Sequence, residues 1–134
     1  MTMPPITHTL LAALLVSTTA LAGDIHTERV QFHKGANSAT IEGRIQGDMT
    51  IDYLLGAKQG QSMNVSMATD NGANYFNISA PGKENEAMFV GSSSGNQFEG
   101  ALPASGDYKI RVYLMPSAAR RDEIANYRLE MIID

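Results

Sequence analysis

The segment Leu102-Pro103-Ala104-Ser105-Gly106-Asp107-Tyr108 gathers an alcohol, a carboxylate and a phenol into four consecutive positions around a glycine, directly before an alternating apolar run. Ser and Tyr hydroxyls both donate and accept hydrogen bonds, so such a turn can offer compact polar groups to another molecule's pocket. A plainer reading stands beside that one. Gly106 makes a tight turn, and the Tyr108 ring opens the dry face of the next strand while its phenol caps a backbone group.

No other residues suggest chemistry. Nucleophilic catalysis needs a thiol, or a hydroxyl beside a base, and the chain has no Cys and only three His. His26 and His33 read as surface imidazoles. Without Cys or a spaced His pair there is no zinc pattern. Asp70, Asn71 and Asn74 carry oxygens suited to calcium, yet Asp70-Asn71-Gly72 is also an ordinary hairpin turn. Glu84, Glu86 and Glu99 are scattered, and nothing sets two of them at the separation a glycosidase requires. The expectation is a protein with no catalytic residues, no metal and no cofactor. Asn64-Val65-Ser66 and Asn77-Ile78-Ser79 match the glycan-acceptor pattern, but both fall inside strand-like runs.

The elements that position the turn begin after an export signal. Residues 1–22 hold an apolar run from Leu10 to Val16 and a small-residue site at Ala20-Leu21-Ala22, although no Lys or Arg precedes the run. The run is shorter than the ~20 residues needed to span a bilayer, so no membrane anchor is expected and the mature chain is exported. Cleavage near Ala22 leaves residues 23–134, the size of one domain. All Lys, Arg, Asp and Glu lie in that part, which carries the full net charge of −4. An acidic balance disfavours nucleic acid and favours a basic partner through steering. Lacking disulfides, the domain must draw its stability from packing and strand ladders.

Apolar residues recur with period two. Val30 and Phe32, Ile41 and Ile45, Met63, Val65 and Met67, Tyr108 to Leu114, and Tyr127 to Ile133 each alternate with polar neighbours. Turn signals such as Lys34-Gly35, Gln46-Gly47-Asp48, Asp70-Asn71-Gly72, Pro81-Gly82 and Ser92 to Asn96 separate the runs. The pattern predicts an all-β, antiparallel sandwich of eight or nine strands. A short helical turn is predicted near 117–123, capped by Ser117. Of the eight Met, those at 63, 67 and 88 fall in apolar phase, and they read as fillers of core gaps. Exposed sheet edges leave both a monomer and a homodimer open.

Several segments, taken in order, resemble the bacterial periplasmic lysozyme inhibitors. They are Val30-Gln31-Phe32-His33-Lys34-Gly35, Ile41-Glu42-Gly43-Arg44-Ile45, Tyr53 to Gln61, Asn74-Tyr75-Phe76-Asn77, Leu102 to Tyr108, and Arg111 to Met115 with Ala118-Ala119-Arg120-Arg121. The likeness is closest to inhibitors of invertebrate-type (i-type) lysozyme and more distant to those of goose-type (g-type) lysozyme. It implies a β-sandwich whose Ser-Gly-x-Tyr turn enters the lysozyme cleft. By that resemblance Ser105 and Tyr108 meet the catalytic carboxylates and Gly106 shapes the turn; Asp107, which those carboxylates would repel, is expected to point away along the loop toward a basic rim residue of the enzyme. Arg111, Arg120 and Arg121 are expected as rim contacts. The runner-up is a non-inhibitory binding module similar to the β-sandwich domains appended to secreted peptidases, in which Gly-x-Tyr is structural.

Overall fold

The computed structural model describes residues 24–134, so the expected export signal lies outside the described residues. Among these residues nine strands form two facing sheets. They are β1 (Ile25–Arg29), β2 (Ser38–Gln46), β3 (Thr50–Ala57), β4 (Ser62–Thr69), β5 (Asn74–Ser79), β6 (Ala87–Val90), β7 (Gln97–Ala101), β8 (Gly106–Leu114) and β9 (Ile124–Ile133). One sheet has the order β1-β3-β8-β5-β6 and the other β2-β9-β4-β7. Pairing is antiparallel except between β1 and β3, which run parallel. Among the described residues two short helices, α1 (Gly91–Ser94) and α2 (Pro116–Arg120), lie in connections. No helix among the described residues is long and apolar enough to cross a membrane.

Period two sets the layering. In β8 the side chains of Tyr108, Ile110, Val112 and Leu114 are buried, and in β9 those of Ala125, Tyr127, Leu129, Met131 and Ile133. Their polar neighbours face out, because successive residues of a strand point to opposite faces. Met63 and Met67 of β4 enter the same core, and Met88 packs against it. Across the layer the hydroxyls of Tyr53 in β3 and Tyr127 in β9 meet at 2.6 Å, tying one sheet to the other. Burial pushes both phenols above their ordinary value, and the hydrogen bond between them adds to the rise at Tyr127 while opposing it at Tyr53. Gly43, opposite Tyr127 in the ladder, leaves the space its ring occupies, since a Cβ there would overlap the phenol.

Three local expectations are corrected. Val30 to His33 is not a strand: β1 ends at Arg29, and Val30 begins a crossing loop to β2 in the other sheet. The alternation there reflects only Val30 and Phe32 packing inward from the loop. The helical turn starts at Pro116, not Ser117, and has no side-chain cap. Proline suits a first helical position because its missing N–H has no partner there in any case. Ser92 to Ser94 belong to α1 instead of a plain turn.

The ladder registers collect four connections at one end of the sandwich. Ala57 pairs with Gly106, Ser79 with Lys109, Ser62 with Ala101, and Ser38 with Ile132. The loops 30–37, 58–61, 80–86 and 102–105 therefore share that end. Both helices lie at the other.

Candidate functional site

The turn between β7 and β8 is held from three sides. Beneath it, the Tyr108 ring is fully buried, and its hydroxyl donates to the Ala104 carbonyl at 2.6 Å and accepts the Ala104 N–H at 3.1 Å. Beside it runs the 58–61 loop, with Gly60 N–H donating to Leu102 O at 2.9 Å and Leu102 N–H to Gln61 O at 2.8 Å. The Gln59 N–H donates to the Ser105 hydroxyl oxygen at 2.8 Å. On the third side is Pro81. Gly106 has φ +138°, and a Cβ on it would sit 3.0 Å from the Pro81 Cβ. That backbone region is nearly closed to residues with a side chain, so the turn depends on glycine twice over.

What remains exposed is small. Pro103, Ser105, Gly106 and Asp107 face solvent, with Ala104 half-buried. Ser105 accepts one hydrogen bond from Gln59 and keeps its own proton to give. Asp107 is turned back along the outer face, where the Arg29 guanidinium grips both carboxylate oxygens at 3.0 and 2.6 Å. The hydrogen bond and charge of Arg29 hold the Asp107 carboxyl below its ordinary value, and Asp107 in turn raises Arg29.

The four residues singled out in the turn are thus contiguous but not equivalent. Tyr108 does not protrude beside Ser105. It falls in phase with Ile110, Val112 and Leu114, so the period of the strand drives its ring inward, and its oxygen is satisfied from within. The basic residue that meets Asp107 belongs to this chain.

The expected rim does not assemble either. Arg120 and Arg121 follow β8 and sit at the opposite end of the sandwich; the nine residues of β8 put about 27 Å between its two ends. Arg121 is engaged there with Glu123 at 2.8 Å. Arg111 lies midway along β8 on the outer face, gripping the buried carboxylate of Asp52 at 2.7 and 2.8 Å. The oxygens of Asp70, Asn71 and Asn74 go to hydrogen bonds with Asn126, Ala73 and Thr69. Among the described residues no group of three or more His, Asp or Glu could hold a metal ion.

Sequence reasoning missed Arg29, Gln59 and Pro81. Gln59 meets Ser105 across 46 residues and Arg29 meets Asp107 across 78, separations that leave no local pattern.

No protein-family model matches the chain. An inhibitor of g-type lysozyme from Escherichia coli is 33% identical over 126 residues, 92% of each chain. The chain belongs to the periplasmic lysozyme inhibitor family. Among solved structures, the g-type lysozyme inhibitor of Aeromonas hydrophila shares 42% identity with a TM-score of 0.78, covering 84% of this chain and all of that one. Lysozyme inhibitors are non-catalytic proteins, in keeping with the sequence. These inhibitors are named for g-type lysozyme, and the expected leaning toward the invertebrate type finds no support among them. The pre-peptidase C-terminal domain of a Bacillus anthracis collagenase shares the fold alone, at 16% identity and a TM-score of 0.53.

Proposed function

We propose that this protein inhibits g-type lysozyme in the periplasm, defending the cell wall by blocking the substrate cleft with the 102–107 turn. The observation that carries the reading is the 42% identity to the Aeromonas hydrophila inhibitor over the whole of that chain. The turn's geometry supports the choice of element. It is the one segment among those weighed that combines a glycine-dependent conformation with an exposed hydroxyl held from behind.

The mechanism follows from the hydrogen-bond inventory. Glycosidase clefts carry carboxyl groups, typically one protonated and one ionised. With one lone pair taken by the Gln59 N–H, Ser105 keeps a proton for an ionised carboxylate and a second lone pair for a protonated one. Gly106 permits the fold-back and Tyr108 braces Ala104 from beneath, so little conformational freedom is lost on docking. Tyr108 is in this account a support, not a contact. The net charge of −4 speeds encounter with a basic enzyme.

The test is a cell-wall lysis assay with residues 23–134 titrated against g-type lysozyme. Stoichiometric suppression is expected. Ser105→Ala should weaken inhibition by ~1 to 3 kcal/mol, roughly fivefold to a hundredfold, with the melting temperature lowered by at most a few degrees, because water can take the place of the exposed hydroxyl as acceptor of the Gln59 N–H. Full potency in the Ala variant would remove Ser105 from the interface. No suppression by the wild type would refute the function.

A further inference from the structure

We propose that Arg29 is the internal counter-ion of the inhibitory turn: by neutralising Asp107, it lets a loop that carries a carboxylate enter a cleft whose own chemistry relies on carboxylates. The inference rests on the reading of 102–107 as the blocking element.

Asp107 stands two positions from Ser105 and is exposed, so anything that receives Ser105 also meets this charge. The nearest cations by sequence are Lys109, which forms no ion pair with it, and Arg111, which grips Asp52 instead; the two oxygens go to Arg29 alone among the described residues. Arg29 reaches it from another strand. It is the last residue of β1, which pairs with β3, and β3 in turn pairs with β8. The guanidinium must therefore pass over β3, and the position it crosses is glycine. Gly56 is the ladder partner of Asp107, and a Cβ there would already touch the Asp107 Oδ1 at 3.6 Å. A bare residue on the intervening strand leaves the carboxylate open to the fork.

The placement of β1 points the same way. All five of its residues are exposed, so the strand contributes no side chain to the core. The Val30 N–H donates to Leu54 O at 2.9 Å, pinning the backbone just after Arg29. What the strand delivers is a fixed cation at the base of the turn. Bidentate guanidinium–carboxylate pairing is directional, so the charge of Asp107 is cancelled where it stands.

Without that cancellation, a carboxylate about 10 Å from an ionised cleft residue lowers affinity by roughly tenfold at an effective dielectric near 20, less as salt rises. Three variants test the idea in the lysis assay against g-type lysozyme, with thermal unfolding as the control for folding. Arg29→Gln should inhibit roughly tenfold more weakly at low salt, with the deficit shrinking at high salt. Arg29→Lys, which keeps the charge but not the fork, should retain most of the inhibition. Adding Asp107→Asn to Arg29→Gln should restore inhibition to within about threefold of wild type, because the charge needing an answer is gone.

Wild-type potency in Arg29→Gln would overturn the proposal. So would a double variant as weak as Arg29→Gln, since the guanidinium would then act on the enzyme directly or by holding geometry. Failure of the wild type to inhibit any g-type lysozyme overturns the function, a different result that the same titration separates.

Discussion

Replacing Tyr108 with Phe removes one oxygen and leaves the ring in place, which makes it a clean probe of how the turn is held. That oxygen serves two hydrogen bonds, to the carbonyl and the N–H of Ala104, at 2.6 and 3.1 Å. A typical intramolecular hydrogen bond contributes ~0.5 to 1.5 kcal/mol net, so the two together are worth ~1 to 3 kcal/mol. Ala104 is half-buried and water can reach it in the variant, which puts the expected loss in the lower half of that range, ~1 to 2 kcal/mol. For a domain of this size the melting temperature should fall by roughly 4 to 8 °C. Amide exchange at Ala104 should speed up by about tenfold or more, since 1.4 kcal/mol is one factor of ten. Inhibition should weaken by no more than a similar factor, because the loosened turn must be re-ordered on binding. Calorimetry, exchange measured by NMR and the lysis assay read the three effects. If inhibition collapses while the melting temperature and the Ala104 amide stay as they were, Tyr108 touches the enzyme and the support role is wrong.

Three further outcomes follow from the same geometry. Gly106→Ala should cost ~1 to 3 kcal/mol in urea unfolding, from the positive φ and the 3.0 Å approach to Pro81, and no loss would mean the turn has another conformation. Tyr127→Phe should destabilise by ~1 to 3 kcal/mol by stranding the buried Tyr53 hydroxyl, and the double Phe variant should cost less than the two singles together; additive losses would refute the coupling. Asp70, Asp107 and Glu123 are held below their ordinary values of 3.8, 3.8 and 4.5 chiefly by hydrogen bonds from Asn126, Arg29 and Asn71. Depressed carboxylates bind fewer protons folded than unfolded near pH 4, so their stabilisation is intact above those ordinary values and lost as pH falls through the lowered ones. The urea midpoint should hold from pH 7 to about 5 and drop below about 4, and a flat profile down to pH 3 would count against these pairings.

Period two was enough to foresee two β layers, because a strand half-exposed to water must alternate, and β8 from Tyr108 onward and β9 throughout do so. The same local rule foresaw the turn at Ser105-Gly106. It did not foresee β1, whose residues are all exposed and therefore carry no pattern, nor its parallel pairing with β3. The alternation at Val30 and Phe32 misled for the complementary reason: two apolar residues can pack inward from a loop as well as from a strand.

By itself the sequence determined that this is a β protein, and marked the turn around Gly106 as its distinctive polar element. Which of that turn's hydroxyls faces outward was decided only by tertiary structure. Strand phase commits the Tyr108 ring to the core, while Gln59 and Arg29, far away in the chain, take up the Ser105 oxygen and the Asp107 charge. Contacts of that kind arise when two sheets fold over one another, and no window of neighbouring residues contains them.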